Sequence, residues 1–413
     1  MNNLPSALRA LRHRNFRCYF IGHAISTLGT WIQQVALAWL VYRLTGSVAL
    51  LGLTTCMALL PQLLVGPFAG AWIDRHDKRR LLILVESLLG LQALVLALLT
   101  AGDWVTPTLL VAMATLMGVL NALDTPLRQS LLSQFVDDRA DLPNALALNA
   151  MLFTSSRFIG PPLAGLLLGV FNEALCFALN GASYLALVVG LLLIRITPTA
   201  RAGGSYRNVL GEGLRYALGN RQVRSMMLSV LAINVSASSY VVLLPVFARD
   251  IFAGGATTLG WLWGAAGLGS LLSTVFLASR LAVDSLPRLI LAASCATALA
   301  LLVFAWSDLL ALSLAAMAVI GFGITVSNVG TNIVLQSNAP EALRGRIVAL
   351  YTSIRFGFDA IGGLLAGLLA ARLGAPPVLA AAGVILLGYC IWLGQRPRAT
   401  AEPDKSPAAS ADD

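Results

Sequence analysis

Charge is what this chain has least of. Lys, Arg, Asp and Glu make up 11% of its 413 residues, where soluble domains carry roughly 25%. With 58% hydrophobic residues and a mean hydropathy of +0.80, a water-soluble globular domain is excluded. Histidine is almost missing: His13, His23 and His76 are the full set. No Ser/His/Asp constellation, metal-spaced His/Cys cluster or phosphate-cradling glycine loop occurs, so neither enzyme chemistry nor a metal or cofactor is expected. The five cysteines (Cys18, Cys56, Cys176, Cys295, Cys390) stand singly, at no redox or ligand spacing, and read as small core residues. A cleavable leader is not expected either, because the apolar run from Asn15 follows a basic segment and has no small-residue cleavage site. The net charge of +9 has no polar domain to carry it, which argues against nucleic acid as a partner.

What the chain does have is long apolar runs. They predict spans near 16–44, 47–73, 81–101, 106–126, 144–170 and 174–194, then 225–248, 257–281, 287–306, 309–332, 346–371 and 377–394. Each can cross a hydrocarbon core of about 30 Å. The fold class expected is all-α integral membrane, twelve spans arranged six plus six. Residues 1–15 form an arm, 195–224 a charge-rich linker with a short interfacial helix, and 395–413 a disordered tail. Of the 28 lysines and arginines, Arg43, Arg249 and Arg372 fall on one side and Arg157 and Arg355 inside spans; the other 23 share the opposite side. That asymmetry places both termini in the cytoplasm.

The halves repeat. Thr154-Ser-Ser-Arg157-Phe158 returns 198 residues later as Thr352-Ser-Ile-Arg355-Phe356, and Gly165-Leu-Leu-Leu-Gly169 returns at the same offset as Gly363-Leu-Leu-Ala-Gly367. Duplicated halves related by an axis along the membrane normal explain both matches.

Charges inside spans cost roughly 2.5–3.5 kcal/mol each on insertion scales, so each needs a reason. Arg355 and Asp359 stand four apart on one helix face and can neutralise each other; they read as a static pair or as a proton-responsive one. Arg157 has no acid within a turn and must meet another helix, backbone carbonyls or an anionic substrate. Glu86 and Asp124 lie near the cytoplasmic ends of spans three and four. His23 is a proton relay or a packing histidine.

The string Gly70-Ala-Trp-Ile-Asp74-Arg75-His-Asp77-Lys78-Arg79-Arg80 resembles the loop signature of the major facilitator superfamily, with Asp77 where that family usually has glycine. The resemblance implies a gating latch of Gly70, Asp74, Arg75, Lys78, Arg79 and Arg80, with Asp124 pairing to Arg79 or Arg80. Gly160-Pro161-Pro162-Leu-Ala-Gly165 resembles in part the antiporter signature of drug-exporting facilitators, and simple helix packing is its other reading. The strings Asn15-Phe-Arg17, Gly29-Thr-Trp-Ile-Gln-Gln-Val-Ala36, Pro143-Asn-Ala-Leu-Ala-Leu-Asn149 and Pro340-Glu-Ala-Leu-Arg-Gly-Arg346 are similar to a bacterial subgroup of enterobactin and macrolide efflux-like proteins, the transmembrane secretion effectors. The resemblance implies a monomeric exporter of small amphiphilic molecules, driven by proton antiport, in the inner membrane. It also implies that spans one, four, seven and ten line the cavity, with Gln33, Gln34, Asn121, Asn234, Asn328 and Asn332 as binding residues and Trp31 and Tyr240 as aromatic surface. An importer or a lipid flippase on the same fold is the rival; a membrane enzyme or a non-transporting sensor lies further off.

Overall fold

The computed structural model describes residues 6–73, 75–194, 215–279, 285–340 and 343–395. Helix is the regular structure throughout, because a backbone in hydrocarbon must satisfy its N–H and C=O groups within its own segment. The twelve spans are α1 (Arg14–Thr45), α2 (Val48–Ile73), α3 (Lys78–Ala101), α4 (Pro107–Leu132), α5 (Leu142–Val170) and α6 (Glu173–Leu193), followed by α7 (Arg221–Val246), α8 (Ala256–Ser279), α9 (Leu286–Trp306), α10 (Leu310–Asn338), α11 (Arg344–Leu373) and α12 (Ala375–Gly394). They alternate in direction, so α1 begins and α12 ends on one face, termed the near face.

Leu91, Leu98, Leu185, Leu299 and Ile385 stand exposed on the flanks, as side chains facing lipid must. Trp72 and Trp392 lie at the near-face ends of their helices, and Trp104 and Trp306 at the far-face ends, all exposed. This is the amphipathic belt that marks both rims of a bilayer.

Each half packs on itself: α1 on α6, α3 on α6 and α2 on α4, then α9 on α10, α8 on α10 and α9 on α12. Two seams join the halves, α5 along α8 and α2 along α11. The repeated glycines make both. A Cβ on Gly165 would lie 2.8 Å from the Ala256 carbonyl oxygen and 3.0 Å from Gly260 Cα. Across the other seam, a Cβ on Gly367 would lie 2.8 Å from Gly52 Cα. Backbone approach this close is what small residues permit between membrane helices. Gly165→Val should therefore cost about 1–3 kcal/mol in overpacking and lower the melting temperature of detergent-solubilised protein. Gly388→Ala, where nothing lies within 4 Å, should melt like the parent. Equal melting of all three would deny the seam.

Span four departs from expectation. The apolar run predicts its end near Pro126, yet α4 runs on to Leu132 with Pro126 inside. Arg128 thereby leaves the loop and enters the bundle. The linker shows only its last part: 215–219 is helical, with Ala217 buried and Leu218 exposed, and α7 begins at Arg221, earlier than expected. Residues 195–214 and the tail from 396 lie outside the described residues.

Candidate functional site

Among the described residues, six charged side chains lie deep within the spans, and the fold sorts them into two groups. The first belongs to the N-terminal half. Glu86 sits about 12 Å in from the start of α3, at 1.5 Å per residue, and is fully buried. Arg128 reaches it from α4 with Nη2 2.6 Å from Oε1 of Glu86, while its Nε donates to Asp124, one turn back, at 2.8 Å. Arg128 also contacts the ring of His23 on α1, whose Nδ1 meets the Thr27 hydroxyl at 3.1 Å. Tyr19 stacks on His23 with ring centroids 5.1 Å apart. Two carboxylates thus share one guanidinium.

This arrangement corrects one pairing. Asp124 is held by Arg128, not by Arg79 or Arg80, because α4 continues as a helix and puts residue 128 directly over residue 124. Arg79 donates instead to the Leu191 and Leu192 carbonyls at the end of α6, at 2.9 and 3.0 Å. These are carbonyls the helix terminus leaves open. Asp77, the departure from the family loop, caps α3 by accepting from the Arg79 and Arg80 backbone N–H groups at 3.0 and 3.1 Å. Gly70 lies in the last two turns of α2, Arg75 is exposed and Lys78 opens α3. Asp74 lies outside the described residues.

The second group lies at mid-span between the halves. Arg157 is midway along α5 and Asp359 midway along α11, both partly accessible. Arg157 donates to the Tyr240 hydroxyl of α7 at 3.1 Å, and its guanidinium lies 5.6 Å from the Trp31 ring centroid. Trp31 meets Trp263 of α8 edge-on at 6.3 Å and Phe153 of α5 at 5.8 Å. Arg355 and Asp359 make no ion pair within 4 Å, contrary to the pairing expected from their spacing: Arg355 lies over the Phe356 ring at 5.0 Å, and its buried Nε has no partner. Asp359 lies instead within Coulombic reach of both Arg355 and Arg157. The buried Nε1 of Trp263 is unpaired as well.

Other expected cavity residues divide. Gln34, Asn121 and Asn332 are partly accessible, and Asn332 accepts from Gln336 at 3.1 Å. Gln33 is buried and accepts from Asn180 of α6 at 2.7 Å while donating to Gln92 of α3 at 3.3 Å. Asn234 and Asn328 are buried and exchange two hydrogen bonds of 3.0 and 3.2 Å across α7 and α10. These three fasten helices within a half, because satisfied buried amides hold a core together without facing a ligand. The Gly160–Gly165 element forms packing surface: a Cβ on Gly160 would lie 2.6 Å from Trp31 Cβ, and Pro161 and Pro162 face the glycines of α8.

Three clusters escape the sequence reading. Arg128 is one, although Asp124 four residues before it signals a pair. A clasp at the far face is the second: the Tyr42 hydroxyl at the end of α1 donates to Asp250, in the π-helical turn 247–251, and Arg249 packs 5.6 Å over the Tyr42 ring. The third ties the arm down. Buried Asp141 receives Arg9, Arg12 at 2.7 Å and His13 at 2.9 Å, and Ala10 N–H donates to Asn144 at 2.9 Å.

Two six-helix halves joined by paired glycine seams, with partly accessible charged and aromatic side chains at mid-span, define the class: a membrane transporter of the major facilitator fold, not an enzyme. The nucleoside transporter NupG has this shape, with a TM-score of 0.74 over 94% of this chain and 100% of its own, at 14% identity. The chain belongs to the transmembrane secretion effector family, whose pattern it matches over residues 5–411. It is similar to the staphyloferrin A transporter of Staphylococcus aureus, 26% identical over 349 residues, 84% of this chain and 87% of the relative. The multidrug efflux pump Tap of Mycolicibacterium fortuitum is 26% identical over 355 residues, 83% and 86% of the two chains.

Proposed function

We propose that the protein exports small amphiphilic molecules, siderophore-like or drug-like, across a bacterial inner membrane by alternating access and in exchange for protons. The partly accessible charges at mid-span between two seam-joined halves, read as the lining of a central cleft, carry this reading, and the naming of one relative as an efflux pump supports the outward direction. The near face, rich in Lys and Arg, is the cytoplasmic one. The Tyr42–Asp250 clasp and the glycine seams close the cleft towards the far side. Opening that side requires the clasp to part while the latch region of Arg75, Lys78, Arg79 and Arg80 gathers the near side.

The proton belongs with the Glu86 group. Two carboxylates against one guanidinium leave a buried site one positive charge short, with His23 and Tyr19 beside it, and a proton makes up that charge. Asp359 lies within Coulombic reach of two arginines and has no such shortfall. An inward proton contributes about 2.3 kcal/mol per 100 mV, enough with a pH gradient to raise substrate tens-fold or more.

Inside-out vesicles acidified within are expected to accumulate a fluorescent amphiphile only when the protein is present. Glu86→Gln should cut that accumulation more than tenfold yet retain substrate-for-substrate exchange, which needs no net proton movement. Undiminished accumulation in Glu86→Gln would remove the proton from this group. Accumulation driven the opposite way would replace export with import.

A further inference from the structure

The charge balance of the cleft has the opposite sign, and it bears on what the cleft holds; this step rests on the transporter reading above. Arg157 and Arg355 occupy equivalent places in the repeat, 198 residues apart, so each half contributes one arginine near the middle of its span. One carboxylate, Asp359, lies within Coulombic reach of both, one turn from Arg355 on α11. Among the described residues, the other deep charges, Glu86, Asp124 and Arg128, are committed to one another. The cleft is therefore one negative charge short.

Its hydrogen-bonding surface leans the same way. The buried groups left unpaired there, Arg355 Nε and Trp263 Nε1, are both donors. A cationic substrate would meet two arginines and two N–H groups that it cannot accept from. Beside Arg157 stand Trp31, Trp263 and Phe153 in edge-on contact, with Tyr240 held by Arg157. Such a wall accepts a flat ring.

We propose that the cleft is a site for an aromatic monoanion, a carboxylate or acidic phenol, with its charged group received by Arg157 and Arg355 and its ring laid against Trp31 and Trp263. Guanidinium groups suit this task, since their planar fork matches a carboxylate in two parallel hydrogen bonds. Asp359 remains the second negative charge, so the loaded site is neutral and the empty one is not. Recognition then reads charge first and ring shape second, which admits acidic siderophore fragments and acidic drugs alike.

The test uses full-length protein in lipid nanodiscs and three probes by calorimetry: salicylate, its neutral amide salicylamide, and the aromatic cation tetraphenylphosphonium. Salicylate is expected to bind at least tenfold more tightly than salicylamide. Arg157→Ala and Arg355→Ala should each remove that advantage, while Arg157→Lys, which keeps the charge and guards against a folding artefact, retains part of it. An anion that binds no better than its amide, a preference for the cation, or an advantage that survives both alanine variants overturns the proposal. Gradient-driven export of the cation alone would leave the exporter reading standing and this site refuted. Salicylate binding with no gradient-driven flux of any probe would do the reverse.

Discussion

Arg128→Ala is expected to leave little correctly folded protein. The Arg128 side chain is 14% exposed and Glu86 is fully buried, so removing the guanidinium strands two carboxylates in the N-terminal half. Breaking a buried ion pair from one side costs about 3–5 kcal/mol, a large share of the roughly 5–15 kcal/mol that holds a typical protein folded. The damage comes from the stranded acids rather than from a lost attraction, so it should be reversible by chemistry. Adding Glu86→Gln and Asp124→Asn to Arg128→Ala removes the charges and should restore most of the monodisperse peak and melting temperature. A single variant as stable as the parent would mean that water already reaches these groups.

Asp359→Asn should separate affinity from turnover. Without this carboxylate both arginines are left to the substrate, so an aromatic anion is expected to bind several-fold more tightly. Leaving is then slower, because nothing takes the guanidinium groups back, and maximal transport should fall about tenfold. KM and the maximal rate drop together, the pattern of a substrate held too well. If Asp359 instead carried the coupling proton, the variant would lose its response to the pH gradient with affinity unchanged. Vesicle uptake at graded substrate concentrations, with and without the gradient, distinguishes the two. An unaltered KM would show that Asp359 does not compete with the substrate for the arginines.

The twelve spans were legible because a bilayer imposes length and polarity on every crossing segment, and the 198-residue repeat exposed the duplication. The purpose of the repeat was less legible. Gly165 and Gly363 mark the duplication in sequence, but that they build the seams between the halves is not written there, since which helix lies opposite is a three-dimensional fact. Asp124 shows the same limit from the electrostatic side. The sequence reading pairs it with Arg79 or Arg80, and only the continuation of α4 through Pro126 brings Arg128 over it instead. The polar stripe of α1 was visible, but not its division: Trp31 turns to the cleft while Gln33, two residues on, turns inward to Asn180 and Gln92. About half a helical turn separates the aromatic surface beside Arg157 from internal fastening there, and composition does not report rotation about the helix axis.

The anchoring of the arm bears on how the chain is made. Arg9, Arg12 and His13 leave the ribosome ahead of α1, yet their carboxylates, Asp138 and Asp141, follow only after four spans have been synthesised. Until then the arm has nothing to grip, and α1 has no fixed depth at its start. Completion of the link between α4 and α5 is thus the earliest moment at which the arm can be anchored.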